Sequence, residues 1–204
     1  MSVSLRCYST SLGCPKNRVD TERLLGSLGV ALVPVESPDE AELVFINTCA
    51  FIQPATEESV RTIAQAIADI EELPKRPLLA VAGCLVGRYH AEDLAPELPE
   101  VDLWLDNSDL EAWPAMLARK LGLPEPTVPG RILSTGPSYA WLKISDGCRH
   151  ACSFCAIPNI RGGHRSHCKD MIVREARALL DQGVKELNLV AQDLTEWGCD
   201  LDGK

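Results

Sequence analysis

The sequence predicts an α/β protein: an open parallel α/β sheet in its first part, followed by the opening strands of a truncated (β/α) barrel. Three observations carry this. Apolar, β-prone runs alternate with helical stripes. A Pro-rich stretch, Leu123-Pro-Glu-Pro-Thr-Val-Pro-Gly130, divides the chain. After it, a strand, helix and strand fit within about 70 residues, where a complete barrel needs on the order of 200 or more. The expected organisation is a domain over 1–122, a linker over 123–138 and an incomplete barrel piece over 139–204.

In the first part, Val3 to Tyr8 reads as a strand and Asp20 to Leu28 as a short helix. Leu43 to Ile46 is the second strand. Glu57 to Leu73 places Val60, Ile63, Ile67 and Ile70 on one helical stripe, stopped by Pro74. Leu78 to Ala82 is the third strand. Each strand is followed by a cysteine, at Cys14, Cys49 and Cys84, giving two successive intervals of 35 residues. In an open parallel sheet, ligand crevices lie beyond the C-terminal strand ends, where these three fall.

In the second part, Tyr139 to Ile144 alternates as a strand and Ser145 to Gly163 is a loop. Met171 to Leu180 carries a helical stripe, Gly183 stops it, and Val184 to Val190 reads as the next strand. Gln192-Asp193-Leu194-Thr195 lies at that strand's C-terminal end, where barrel active sites are built.

Composition bounds the function. With 46% hydrophobic and 24% charged residues among 204, the chain can bury a core. Its net charge of -9 disfavours sequence-independent nucleic-acid binding and suits a basic protein partner. No leader opens the chain and no apolar run reaches membrane-spanning length, so the expected location is cytoplasmic, with no membrane contact. Thiols stay reduced there, and nine Cys, an odd number, ask for metal or catalysis rather than disulfides.

Cys148, Cys152 and Cys155 lie on one short loop, Cys-Arg-His-Ala-Cys-Ser-Phe-Cys. Three closely spaced thiolates can hold a cubic iron-sulfur cluster while leaving one iron without a protein ligand. The alternative is zinc, with His164, His167 or Cys168 completing a tetrahedron. Cys14, Cys49 and Cys84 could converge on a second cluster, or be small buried residues. Cys7 reads as core, Cys168 and Cys199 as incidental, and Arg161, His164 and Arg165 as solvated loop charge in preference to partners for a ligand's carboxylate. Asn17 and Asn47 flank first-part cysteines and could position them or form turns.

The Cys148-x3-Cys152-x2-Cys155 motif, with Phe154 before its last Cys, resembles the signature of the radical S-adenosylmethionine superfamily. The strings Ile144-Ser145-Asp146-Gly147-Cys148 and Ile157-Pro158-Asn159-Ile160-Arg161-Gly162 narrow the resemblance to the methylthiotransferases, over nearly the whole chain. Members of that family carry three Cys at the positions of Cys14, Cys49 and Cys84 and continue into a TRAM domain beyond the barrel. Ser11 to Glu22 and Ala191-Gln192-Asp193-Leu194-Thr195 are similar to the branch that modifies a ribosomal protein rather than tRNA.

The resemblance implies two 4Fe-4S clusters. One, at Cys148, Cys152 and Cys155, would bind S-adenosylmethionine and cleave it to a deoxyadenosyl radical. That radical would take hydrogen from the β-carbon of an aspartate in a small-subunit ribosomal protein. The other, at Cys14, Cys49 and Cys84, would hold the inserted sulfur, methylated by a second S-adenosylmethionine. A flavodoxin or ferredoxin would supply electrons. The Gly-Gly-Glu stretch of many radical enzymes is not evident, so no catalytic residue outside the six ligands is assigned. The competing classes are a tRNA methylthiotransferase, an iron-sulfur electron carrier and a zinc-stabilised binding module.

Overall fold

The computed structural model describes residues 4–201, so Val3 of the first predicted strand lies outside the described residues. The chain forms two compact units, 1–132 and 133–204.

The first unit holds a five-stranded parallel sheet of β1 (Ser4–Ser11), β2 (Ala31–Pro34), β3 (Leu43–Thr48), β4 (Leu78–Gly83) and β5 (Leu103–Leu105), in the order β2-β1-β3-β4-β5. This is the flavodoxin-like doubly wound order, whose switch point lies between β1 and β3. The middle strands read as unbroken apolar runs because both their faces are covered. Phe45, Ala80, Ala82 and Leu105 pack with Leu24 and Leu25 of α1 (Pro15–Ser27), with Leu28 at its C-cap and with Trp113, Leu117 and Ala118 of α5 (Trp113–Leu121). Alternate residues Val44, Ile46, Leu79 and Val81 are equally buried, with α2 (Gln53–Ile70) and α3 (Cys84–Tyr89) packed against β3. A short α4 (Ala91–Leu94) follows. Cys7 belongs to the core, and burial pushes its thiol up to about 12.

Three differences from the sequence reading have simple causes. Helix α1 begins at Pro15 and α2 at Gln53, several residues earlier than their stripes suggest, because Pro15 and Pro54 occupy the first turn, where a missing N–H costs nothing. Strands β2 and β5 escape notice because they are edge strands of four and three residues, too short to show a period. Residues 130–132, expected within the linker, are held on α1. Arg131 makes a buried ion pair with Glu22 at 2.7 Å, and Ile132 N donates to Glu22 O at 3.1 Å.

That strap requires glycine beneath it. A Cβ on Gly26 would stand 2.4 Å from Arg131 N and 2.5 Å from its Cα. Backbone cannot yield as a side-chain tip does. Gly26→Ala is therefore expected to cost about 1–3 kcal/mol, read as a lowered denaturant midpoint with an unchanged slope.

In the second unit, β6 (Tyr139–Lys143) pairs in parallel with β9 (Glu186–Val190), and α7 (Lys169–Asp181) crosses between them. Ala140, Leu142, Ile144, Leu179 and Val184 form the small core. The stretch expected as a plain loop contains β7 (Ser145–Asp146) and α6 (Ile157–Arg161). The first of these pairs antiparallel with β8 (Arg165–Ser166). No described helix in either unit is long and apolar enough to cross a membrane.

Candidate metal centres

The three first-unit cysteines stand at the C-terminal ends of β1, β3 and β4, which are neighbours in the sheet. Adjacent parallel strands lie about 4.8 Å apart, so the sheet itself gathers residues 35 positions apart in sequence onto one edge. Two of them straddle the switch point. Cys14 caps α1, Cys84 opens α3, and Cys49 and Cys84 are buried.

One side chain ties the three turns together. The fully buried Asn17 amide donates from Nδ2 to Leu12 O (2.9 Å) in the Cys14 turn and to Thr48 O (2.8 Å) in the Cys49 turn. Its Oδ1 accepts from Cys84 Sγ at 3.8 Å. Asn47 in turn donates to Asn17 O at 2.9 Å and to Thr21 Oγ1 at 3.1 Å. Ser59 Oγ donates to Cys49 O (2.7 Å) and accepts from Cys49 N (3.0 Å). Gly13, at φ +82°, admits the close approach: a Cβ there would sit 2.7 Å from Cys49 Sγ. Of the two roles open to Asn17 and Asn47, positioning is the one seen.

The second triplet is organised by charge. Asp146, at the foot of the loop, accepts from Lys143 Nζ at 2.8 Å and from Arg161 Nη1 at 3.0 and 3.1 Å. It also accepts from Gly147 N at 2.8 Å. All three charged side chains are buried, so Arg161 is not the solvated loop charge its sequence context suggests. Burial alone would raise the Asp146 carboxyl, but Lys143 and Arg161 outweigh it and hold the group below the usual carboxylate range. Cys148 N then donates to Gly162 O (3.2 Å), closing the loop, and Cys155 N donates to Cys152 O (3.0 Å). Cys152 and Phe154 are exposed.

Residues after β9 grip this loop. His150 and Arg149, between the first two cysteines, pair with Asp193 (3.1 Å) and Glu196 (2.5 Å). Hydrogen bonds from Thr195 and His150 lower the Asp193 carboxyl. Asp200 accepts from Ser166 N (2.8 Å) and Trp197 Nε1 donates to His167 O (3.0 Å). The His164 side chain is only 3% exposed, contrary to its reading as solvated, and lies with Cys199 and Asp200 in one group. Glu196, Trp197 and Asp200 carry no sequence signal for this role, since loop residues show no periodicity.

Among the described residues, neither cysteine triplet brings its three sulfurs within 4.8 Å of one another. Ligands of a tetrahedral zinc, at Zn–S about 2.3 Å, would stand roughly 3.8 Å apart. The free thiols are soft donors of the kind that hold zinc or iron-sulfur groups, and Gly13 leaves space beside Cys49.

A doubly wound sheet and a βαβ unit, each presenting three thiols beyond its strand ends, define an α/β protein of two thiol-bearing units. Residues 6–106 match the family model described as "Uncharacterized protein family UPF0004". The chain is 70% identical over 95% of its length to a "Ribosomal protein uS12 methylthiotransferase RimO" of Nitratidesulfovibrio vulgaris, covering 45% of that protein. A protein of the same name from Lawsonia intracellularis is 59% identical over 98% of the chain, with 46% of it covered. The Aquifex aeolicus counterpart is 50% identical over 94%, with 42% covered. The chain spans about half the length of the curated relatives it matches. A solved structure titled as the radical S-adenosylmethionine methyltransferase TsrM of Kitasatospora setae shares the fold, at TM-score 0.54 and 12% identity, covering 95% of this chain and 49% of that one. Over 94–98% of its length the chain is thus similar to proteins named as methylthiotransferases, and residues 6–106 resemble the UPF0004 family.

Replacing Asp146 leaves two cations buried beside each other. Asp146→Asn is expected to destabilise the second unit by about 3–5 kcal/mol, measured by denaturant unfolding. The folded carboxyl is depressed, so its stabilisation is whole above about pH 4 and lost as pH falls through the folded value. The variant should lack that part of the acid slope.

Proposed function

We propose that the whole protein is a methylthiotransferase that inserts a methylthio group at the β-carbon of an aspartate in ribosomal protein uS12, with S-adenosylmethionine as radical source and methyl donor. The observation that carries this is the 70% identity over 95% of the chain to a protein so named, with both cysteine triplets at the C-terminal ends of strands. In this reading, 1–122 is the N-terminal domain, 123–138 the linker and 139–204 the first part of the barrel.

Cys14, Cys49 and Cys84 would hold one 4Fe-4S cluster and Cys148, Cys152 and Cys155 another. Held by three thiolates each, the clusters would supply a chelation site for S-adenosylmethionine at the second and a sulfur-binding site at the first. The chain's own contribution is position. Asp146, Lys143 and Arg161 fix where the second loop begins and ends, and Asp193 and Glu196 hold the residues between Cys148 and Cys152. Asn17 sets the spacing of the first triplet. A flavodoxin or ferredoxin would deliver electrons.

The test is mass spectrometry of uS12 after anaerobic incubation with the reconstituted whole protein, S-adenosylmethionine and a reductant. A methylthio gain on an aspartate supports the proposal, and modification of tRNA alone contradicts it. Cys148→Ala, Cys152→Ala and Cys155→Ala should each abolish the change that S-adenosylmethionine causes in the paramagnetic spectrum. Cys14→Ala, Cys49→Ala and Cys84→Ala should keep that response and lose the product.

A further inference from the structure

Four strand ends, not three, meet at the first centre. β4 and β5 pair with Ala82 opposite Leu105. Two residues further along each strand, Cys84 and Asn107 are neighbours, and Asn107 Nδ2 donates to Cys84 Sγ at 3.8 Å. Asn107 opens a one-turn 3-10 helix (Asn107–Asp109) whose conformation is fixed independently. Ser108 N donates to Asp106 Oδ1 at 2.7 Å, and Trp113 Nε1 donates to Asp106 O at 2.7 Å. The turn therefore delivers the amide to the sulfur without depending on it.

Burial makes this placement costly unless the amide serves something. Asn107 is 1% exposed, and its Oδ1 is buried without a hydrogen-bond partner. An orphaned buried carbonyl of this kind is destabilising, so a structural role alone would favour an apolar residue. The contact it does make is to a proposed ligand sulfur. Asn17 presents its oxygen to that same sulfur, so Asn107 supplies the donor that Asn17 does not.

We infer that Asn107 is a positioning residue for the first centre, whose N–H to Cys84 stabilises the ligating thiolate and tunes the reduction potential of the cluster. This rests on the reading of Cys14, Cys49 and Cys84 as cluster ligands. Sulfur gains negative charge when a cluster is reduced, and a donor to it favours the reduced state. Removing the donor lowers the potential.

The experiment uses the whole protein with Cys148, Cys152 and Cys155 replaced by Ala, reconstituted anaerobically with ferrous iron and sulfide, so that only the first centre is loaded. Iron is counted, and the cluster is titrated with dithionite and mediator dyes while its paramagnetic signal is followed. Asn107→Leu is expected to shift the reduction equilibrium about tenfold toward the oxidised form, 59 mV for one electron. Asn107→Thr, which keeps a donor, should recover part of it. Should Asn107→Leu fail to fold by circular dichroism, the smaller donor-less Asn107→Ala carries the same test, with a shift in the same direction. Iron bound at an unchanged potential in the donor-less variants overturns this inference and leaves the cluster reading standing. No iron in the chain that retains Asn107 overturns the cluster reading itself, and the inference with it.

Discussion

The side-chain amide of Asn17 is the contact on which the first centre depends. Parallel pairing brings the ends of β1, β3 and β4 side by side, but it leaves the turns beyond them free to diverge. Asn17 spends both amide hydrogens on carbonyls of two of those turns and its oxygen on the sulfur of the third. All of this occurs in a fully buried setting, where an unmade hydrogen bond is expensive. The amide orientation is not arbitrary, since two carbonyl acceptors demand the nitrogen. Losing this residue would cost registry among three loops at once.

The two units solve the same problem by different physics. In the first, neutral hydrogen bonds unite segments far apart in sequence, and the arrangement exists only once the whole sheet has formed. In the second, three thiols lie within eight consecutive residues, and a buried carboxylate between two cations pins the loop where it leaves and re-enters the strands. The surface pairs from Asp193 and Glu196 add little stability individually. Their place is geometric: Arg149 and His150, both between Cys148 and Cys152, are held by one neighbouring segment.

Much of this was legible in the sequence, for identifiable reasons. Fully buried strands such as β3 and β4 announce themselves as apolar runs, and the stripe of α2 shows Ile63 and Ile70 facing inward. The Cys148 loop is legible because its ligands are contiguous. Helix starts were misjudged because periodicity cannot see a first turn made of Pro and polar residues. Asn107 was invisible for a different reason. It reaches the site through the register of β4 with β5, an edge strand of three residues that leaves no pattern to read. Arg161 was misread because nothing local reveals that Asp146, fifteen residues earlier, is buried against it.

The central claim is that the chain presents two separate three-thiolate centres for iron-sulfur clusters. Its most direct test is the count of iron and sulfide per chain after anaerobic reconstitution. Paramagnetic spectra recorded before and after adding S-adenosylmethionine belong to the same measurement. About eight irons, with one cluster perturbed by the cofactor and the other not, is the predicted result. Bound zinc, or iron indifferent to S-adenosylmethionine, would contradict it and leave a metal-stabilised binding module or an electron carrier.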